Sequence, residues 1–93
     1  MSPEAWTLPW EEAREGLLVH RDRRVVYLNP AAAELLAVDR EKVRGLPLIL
    51  ALRDHRLEAL ALKGGEAVLE VRGRVLAARA RPGLLYLLDV PEA

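Results

Sequence analysis

The sequence predicts an α+β domain built on an antiparallel sheet, and three stretches carry that prediction. Two short apolar runs, Gly16–Val19 and Val25–Leu28, flank a polar turn. A capped amphipathic helix follows at once, and further short helices come after it. The last third of the chain, from Glu66 to Val90, has the alternation and the turn residues of three more strands. Five strands with helices between the second and third form an antiparallel α+β domain.

Composition limits the classes of function. The 93 residues are enough for one domain with one core. The net charge is zero and both signs are interspersed, which argues against a basic nucleic-acid-binding face. Because no cysteine is present, disulfides and cysteine-ligated metals are excluded. No apolar run approaches the roughly 18 residues of a membrane span. We therefore expect a cytoplasmic domain without membrane contact. The excess of arginine over lysine weakly indicates a heat-loving source.

The chain divides without a linker into three parts. Residues 1–15 are predicted to form a helical N-terminal cap, residues 16–90 the core, and residues 91–93 the start of an outgoing linker. Gly16 is predicted to end the N-terminal helix as a left-handed residue.

Three large apolar residues lie in the N-terminal cap: Trp6, Leu8 and Trp10. They have two possible uses. Amphipathic segments usually pack on their own core, so these residues are expected to cover the back of the sheet. They are also candidates for a dimer interface, because tryptophan is enriched where interfaces bury surface.

The turn of the first hairpin, from His20 to Arg24, lacks the glycine that tight two-residue turns favour. A longer or bulged loop is therefore expected there. Its three arginines are expected to form a solvated tip rather than a binding site.

The joint between hairpin and helix is Asn29-Pro30. Asn29 is a good N-cap, because its side chain can accept the free N–H groups of the first turn. Pro30 suits the first helical position, where its missing donor costs nothing. If Asn29 only caps the helix, Asn29→Ala should cost roughly 1 kcal/mol and Asn29→Asp almost nothing.

Short helices are predicted to follow this joint. Asp39 can cap one further turn, and Asp54 can cap a helix that extends to about Leu62. Between them, Leu46–Leu52 is strongly apolar but is interrupted by Pro47. That stretch is therefore predicted to be a buried, irregular crossing segment.

The remaining strands are predicted from alternation. Glu66–Arg72 and Arg74–Arg81 each place apolar residues on one face and charged residues on the other. Pro82-Gly83 is a turn signal, since proline presets φ and glycine allows positive φ. Leu84–Val90 is apolar almost throughout, which predicts a central strand covered on both faces.

The stretch at 29–36, Asn-Pro-Ala-Ala-Ala-Glu-Leu-Leu after a hairpin, resembles the opening of a PAS sensor domain. It is similar to the type found in membrane-bound sensor histidine kinases such as the phosphate sensor. The resemblance covers Gly16 to Val90. It implies strand order 2-1-5-4-3, with short helices forming one wall of a ligand cavity. It also implies a homodimer joined to an output domain such as a histidine kinase.

The closing Leu88-Asp89-Val90 resembles the terminal junction of PAS domains, where the core meets a signalling helix. Pro91 replaces the usual threonine there. The resemblance implies that Asp89 couples the core to the output domain through an arginine partner. The alternative is a surface carboxylate that simply ends a strand.

Residue types argue against catalysis and against most PAS cofactors. Ser2 and Thr7 are the only hydroxyls besides tyrosine, and the two histidines have no metal-ligand spacing, so no enzyme and no metal site are expected. Flavin-cysteinyl and coumaryl chromophores are excluded, because PAS domains attach them through cysteine. His55 lies on the helix that carries the haem ligand in haem-binding relatives. Its charged neighbours favour an exposed histidine instead.

Two uses of the interior stay open. One is a cavity for a small organic ligand, in which Tyr27 and Asn29 supply the few polar groups. The other is a core filled by leucine and alanine. The candidate cavity residues are Val19, Tyr27, Asn29, Leu35, Leu36, Leu50, Leu57, Leu60 and Leu69.

These uses correspond to two functions. An interaction module that dimerises and relays a signal is slightly favoured over a small-ligand sensor. An unrelated α+β fold, profilin-like or longin-like, is a third interpretation, and it would need two long helices that the sequence does not indicate.

Overall fold

A five-stranded antiparallel sheet carries short helices on one face in the computed structural model, which describes residues 8–90. The strand order is β2-β1-β5-β4-β3, and the predicted α+β class and strand order are confirmed. The elements are α1 (Leu8–Glu11), β1 (Gly16–Arg21), β2 (Arg24–Leu28), α2 (Pro30–Leu36), α3 (Arg40–Val43), α4 (Leu48–Leu52), α5 (His55–Lys63), β3 (Gly65–Val71), β4 (Arg74–Arg81) and β5 (Leu84–Asp89).

The N-terminal segment, residues 8–15, is helical only over the four residues of α1. Gly16 belongs to β1 and has no left-handed φ, so its predicted role as a helix C-cap is wrong. A Cβ atom on Gly16 would lie 2.9 Å from the Cα atom of Ala32. Gly16 is therefore needed because α2 packs directly on the backbone of β1.

The turn between β1 and β2 is tight, so the predicted longer loop is wrong. Only Asp22 and Arg23 separate the strands, and their φ angles are 53° and 62°. Two successive positive φ values define the type I′ turn that suits a hairpin. The Arg23 carbonyl accepts a hydrogen bond from the Leu48 N–H at 2.7 Å, and this contact holds the turn against α4.

The expected bulge does occur, but inside the hairpin. After the pairing of Val19 with Tyr27 the register shifts by one residue, which leaves Val26 as the extra residue of β2. As a result Val25 and Leu28 both enter the core, although they are three residues apart. Tyr27 lies on the opposite side of the sheet.

Three helices begin at the predicted caps. The Asn29 side chain accepts the Ala32 N–H, and Asp39 and Asp54 each accept two backbone N–H groups of the following turn. The segment predicted to be irregular contains a one-turn helix, α4, with Pro47 at its N-cap position. Proline is tolerated at this position, because backbone N–H groups at the start of a helix have no partner within the helix. The missing N–H of Pro47 therefore removes no helical hydrogen bond.

Two arginines with positive φ satisfy carbonyls at helix C-termini. Arg72, in the β3–β4 turn, donates to the carbonyls of Leu36 at 2.8 Å and Leu52 at 3.1 Å. Arg53, which follows α4, donates to the Ala37 carbonyl at 3.1 Å. Burial, followed by the charge of Arg53, lowers the pKa of Arg72. These contacts tie the ends of α2 and α4 to the sheet.

The core lies between the helices and one side of the sheet, here called the inner face and marked by Leu18, Leu76, Leu85 and Leu87. The opposite side, marked by Val19, Tyr86 and Leu88, is called the outer face. β5 is central, yet the prediction that both its faces are covered is wrong, because Leu88 is 47% exposed. The fully buried leucines are Leu18, Leu36, Leu48, Leu52, Leu57, Leu76, Leu85 and Leu87.

Candidate functional site

The predicted ligand cavity would lie between the helices and the inner face. Leu35, Leu36 and Leu57 belong there to one buried apolar cluster, and Leu60 and Leu69 pack against it. Such a cluster is what a close-packed interior requires, since side chains in contact leave little room for a guest molecule. These five residues build the hydrophobic core of the domain.

Three other predicted cavity residues lie elsewhere, and the prediction is wrong for them. Leu50 is 54% exposed on α4. Val19 follows Leu18, which points into the core, so strand alternation directs Val19 to the outer face. Tyr27 pairs with Val19 and shares that face. Sequence alternation could not assign Tyr27 correctly, because the bulge at Val26 changes the phase of β2.

Asn29 is fully buried, and its side chain makes four hydrogen bonds. Its Oδ1 atom accepts from the backbone N–H groups of Ala32 and Leu17, both at 2.9 Å. Its Nδ2 atom donates to the carbonyls of Trp10 and Glu15, also both at 2.9 Å. The amide thus joins α2, β1 and the N-terminal segment, and its hydrogen-bonding capacity is used within the protein. The predicted cap is confirmed, but the polar group expected to face a ligand is engaged elsewhere.

A polar cluster on the outer face was missed by the sequence analysis. The Tyr27 hydroxyl donates to the Glu11 carboxylate. Arg40 donates to both carboxylate oxygens of Glu11, at 2.9 and 3.1 Å, and its Nε atom donates to the Leu28 carbonyl at 2.8 Å. The Glu11–Tyr27–Arg40 cluster therefore connects α1, β2 and α3. No local signal could reveal it, because its members are 16 and 29 residues apart.

The cluster shifts the titration of two of its members. Burial, and then the hydrogen bond to Glu11, raise the pKa of Tyr27 to about 12. The hydrogen bond from Tyr27, and then that from Arg40, hold the pKa of Glu11 below its ordinary 4.5. The Tyr27 contribution to stability is complete below pH 10 and is lost as the pH rises toward 12. The Glu11 contribution is present above pH 4.5 and is lost as the pH falls.

Trp10 and Leu8 were predicted either to cover the sheet or to form a dimer interface. Trp10 is half-buried, and its ring centroid lies 6.0 Å from that of Tyr86 on the outer face. Trp10 therefore covers the back of its own sheet. Leu8 is 70% exposed, and its role in a dimer interface stays a prediction. Trp6, with Thr7 and Pro91, lies outside the described residues.

An open groove of about 430 Å³ crosses the outer face next to Trp10 and Tyr86. Val68, Ala77 and Leu88 form a row across β3, β4 and β5, and the small Ala77 side chain makes the floor. Val68 is 66% exposed and Leu88 47%. The groove thus presents apolar surface that the described residues leave uncovered.

Asp89 ends β5 and is exposed. Within residues 8–90 its carboxylate forms no ion pair, so the predicted arginine partner is absent there. Asp89 and Arg74 line a second surface groove, beside Glu34 and Arg14. A role of Asp89 in coupling stays a prediction.

The two histidines occupy contrasting positions. His55 is exposed in the first turn of α5, so it is not directed into the interior as a haem ligand would be. His20 is 9% exposed on the inner face, and its Nε2 atom has no hydrogen-bond partner among the described residues. Burial lowers the pKa of His20, although the Ala61 carbonyl of α5 acts in the other direction.

Comparison with known proteins identifies the fold. No protein-family model matches the sequence, and neither does any curated protein. A domain of an HTR-like protein from Haloarcula marismortui is similar in structure, with TM-score 0.58, 15% identity, and coverage of 85% of this chain and 100% of that chain. A domain of a sensory box sensor histidine kinase/response regulator from Geobacter sulfurreducens has TM-score 0.50, 16% identity, and coverage of 95% and 92%. The PAS domain of nitrogen regulation protein NR(II) from Vibrio parahaemolyticus has TM-score 0.49 at 19% identity, with full coverage of both chains.

The two neighbours with TM-scores of 0.58 and 0.50 share the fold of this chain, a sheet in the order β2-β1-β5-β4-β3 with helices inserted between β2 and β3. The chain has the PAS fold. Within residues 8–90 no helix is both long and apolar enough to cross a membrane.

Proposed function

We propose that this PAS domain is a sensory and interaction module of a bacterial signal-transduction protein, such as a two-component sensor histidine kinase. In this proposal it joins two chains and relays a signal to an output domain. One observation carries it, the contrast between an inner face packed with leucine and an outer face with exposed apolar residues. A packed core offers a ligand little space, whereas exposed apolar surface is what association buries.

The comparisons support the signalling context. The Geobacter sulfurreducens neighbour is a domain of a sensory box sensor histidine kinase/response regulator. PAS domains are generally sensory modules without catalytic activity.

The dimer interface in this proposal is built on the N-terminal segment. Leu8 projects into solvent from α1, whose next large residue, Trp10, already rests on Tyr86. Trp10 therefore anchors α1 to the outer face, which leaves Leu8 for a second chain. Trp6 would add to the same interface. Tryptophan is among the residues that contribute most of the binding free energy at protein interfaces.

The Glu11–Tyr27–Arg40 cluster gives the interface a connection to the core. A shift of α1 would act on β2 and α3 through the Glu11 carboxylate, because Tyr27 and Arg40 both bind it. In this proposal the signal leaves at the end of β5, where Asp89 is exposed.

Analytical ultracentrifugation tests the dimer. We expect the wild-type domain to sediment as a dimer and Leu8→Glu to sediment as a monomer with an unchanged melting temperature. Leu50→Glu is the matched control, since Leu50 is 54% exposed on α4, on the helical side of the sheet. It should remain a dimer. A monomeric wild type, or equal association of both variants, contradicts the proposal.

Native mass spectrometry with an absorption spectrum tests the second function, a small-ligand sensor. A mass equal to the apo protein supports the interaction module. A co-purified organic molecule would instead identify a ligand sensor and would require the leucine cluster to open.

A further inference from the structure

The two edges of the sheet differ in how their backbone groups are satisfied. The β2 edge is covered by the segment between α3 and α4. Val25 donates to the Leu46 carbonyl at 2.9 Å and accepts from the Gly45 N–H at 2.8 Å. Arg24 forms a further bridge with Pro47. This edge is therefore closed to any additional strand.

Within residues 8–90 no segment covers the β3 edge. Arg72 and Gly73 form a two-residue turn with positive φ, so the flanking pair, Val71 and Arg74, is hydrogen-bonded. Because hydrogen bonding alternates along an antiparallel pair, every second residue of β3 counted back from Val71 binds β4. The residues between them direct their N–H and C=O groups away from the sheet; these are Glu66, Val68 and Glu70.

An independent contact gives the same assignment. The Arg56 guanidinium, which is held by Asp54 at 2.9 Å, donates to the Glu70 carbonyl at 2.6 Å. That carbonyl must therefore point outward, and Val68 and Glu66 follow by the two-residue period. Within residues 8–90 no other hydrogen bond from outside the sheet reaches this edge. The free groups are the N–H and C=O of Glu66 and Val68, and the N–H of Glu70.

The side chains of these residues define what can bind. Glu66, Val68 and Glu70 share the outer face, where Val68 is 66% exposed and both glutamates are exposed. Opposite charges on directly paired strands are favourable, and like charges are unfavourable. A complementary strand therefore places basic residues opposite the two glutamates and an apolar residue opposite Val68. The groove over Ala77 and Leu88 continues this apolar surface.

We propose that the β3 edge is a docking site for an extended peptide segment with the pattern basic–x–apolar–x–basic, which adds to the sheet as a sixth strand. Main-chain hydrogen bonds supply affinity in this mode of recognition, and alternate side chains supply specificity. A second copy of this chain fits less well. Antiparallel pairing centred on Val68 would put Glu66 of one copy opposite Glu70 of the other, twice. The proposal uses neither α1 nor the dimer interface, so it stands or falls separately from the proposed function.

Fluorescence anisotropy with two labelled peptides tests the docking site. The basic probe is Lys-Thr-Val-Thr-Lys, flanked by glycines, and the acidic control is Glu-Thr-Val-Thr-Glu in the same frame. We expect the wild-type domain to bind the basic probe at low ionic strength and not the acidic control. The combined change Glu66→Lys and Glu70→Lys should lower the affinity for the basic probe by about tenfold, because opposite-charge pairs become like-charge pairs. The same change should allow the acidic probe to bind. Glu34→Lys with Glu41→Lys, an equal change of charge on α2 and α3, should leave both affinities unchanged.

Val68→Pro tests the backbone contribution. It removes the outward N–H of Val68, and edge strands tolerate proline because the bonds to β4 are kept. We expect this variant to lose binding of the basic probe while its circular dichroism spectrum stays unchanged. The proposal is overturned if the wild-type domain does not bind the basic probe. It is also overturned if the Glu34→Lys and Glu41→Lys variant loses as much affinity as the Glu66→Lys and Glu70→Lys variant. Self-association that Val68→Pro abolishes would assign the edge to a second copy and overturn it as well. If Val68→Pro fails to fold, the charge exchange at Glu66 and Glu70 decides alone.

Discussion

The inner and outer faces of the sheet belong to the same strands but have opposite characters. On the inner face, leucines from β1, β4 and β5 meet those of the helices in one buried cluster. On the outer face, Trp10 covers Tyr86, whereas Val68 and Leu88 stay exposed. The difference lies less in the strand residues than in what covers them, because four of the five helical segments within residues 8–90 pack on the inner face. Whether an apolar strand residue belongs to the core or to a surface available for association therefore depends on whether another segment packs over it.

Asn29 belongs to both halves of this comparison. It begins α2 on the inner side, and through the Trp10 and Glu15 carbonyls it also fixes the segment that covers the outer face. One buried amide thus sets the position of both layers on β1.

The largest effect is expected from Leu57→Ala, which tests whether the inner face is a packed core. Leu57 is fully buried, so removing its side chain should lower the free energy of unfolding by about 2–5 kcal/mol. Leu50→Ala is the matched control on the exposed side of α4 and should stay within about 0.5 kcal/mol of wild type. Urea denaturation measures both. A small loss at Leu57 would mean that its surroundings are loosely packed, as in a ligand cavity.

The second effect tests the link between the faces. Asn29→Asp keeps the helix cap but sets a carboxylate against the carbonyls of Trp10 and Glu15. We expect a loss of about 3 kcal/mol at pH 7, because a buried charge then lacks donors for one of its oxygens. The loss should shrink as the pH falls, since a protonated acid can donate to one of the carbonyls.

Asn29→Ala provides the comparison for this change. It should also exceed the roughly 1 kcal/mol of a simple cap, without any dependence on pH. A near-neutral Asn29→Asp at pH 7, measured by thermal unfolding across pH, would show that Asn29 acts only as a cap.

The smallest effect concerns His20, whose Nε2 atom has no hydrogen-bond partner within residues 8–90. Burial lowers the pKa of His20 below 6.5, so the unfolded chain takes up a proton more readily than the folded domain. The His20 contribution is therefore complete above about pH 6.5 and is lost as the pH falls below it. His20→Leu should flatten the decline in melting temperature between pH 7 and pH 5. His55→Leu, an exposed control, should leave the decline as it is, and an identical slope in all three proteins would contradict the assignment.

Several features were predictable because their causes are local. Asn29, Asp39 and Asp54 cap helices as expected, since a side chain can reach the N–H groups two or three residues ahead of it. The alternation in β4 predicted correctly that Leu76 and Ala80 face the core. These interactions depend on neighbours in the chain, and the sequence contains them directly.

The incorrect predictions, and the contacts that no prediction covered, share a different cause. The tight turn at Asp22 and Arg23 requires two costly positive φ values, which contacts with α4 stabilise. The helix-capping Arg72 reaches carbonyls that lie 20 and 36 residues away. Neither could be read from a local window, because the compensating partner is brought close only by folding.

By itself, then, the sequence determined the α+β class, the helix caps and the apolar side of each regular strand, through short-range hydrogen bonding and periodicity. The tertiary structure decided which face Tyr27 joins, through a single bulge at Val26, and it brought Tyr27 to Glu11 and Arg40. It also decided that, within residues 8–90, the β2 edge is covered while the β3 edge stays open. The physical reason is the same in each case. Whether a polar group finds a hydrogen-bond partner, or an apolar group is buried, depends on its neighbours in the folded chain. For these residues the neighbours come from distant segments.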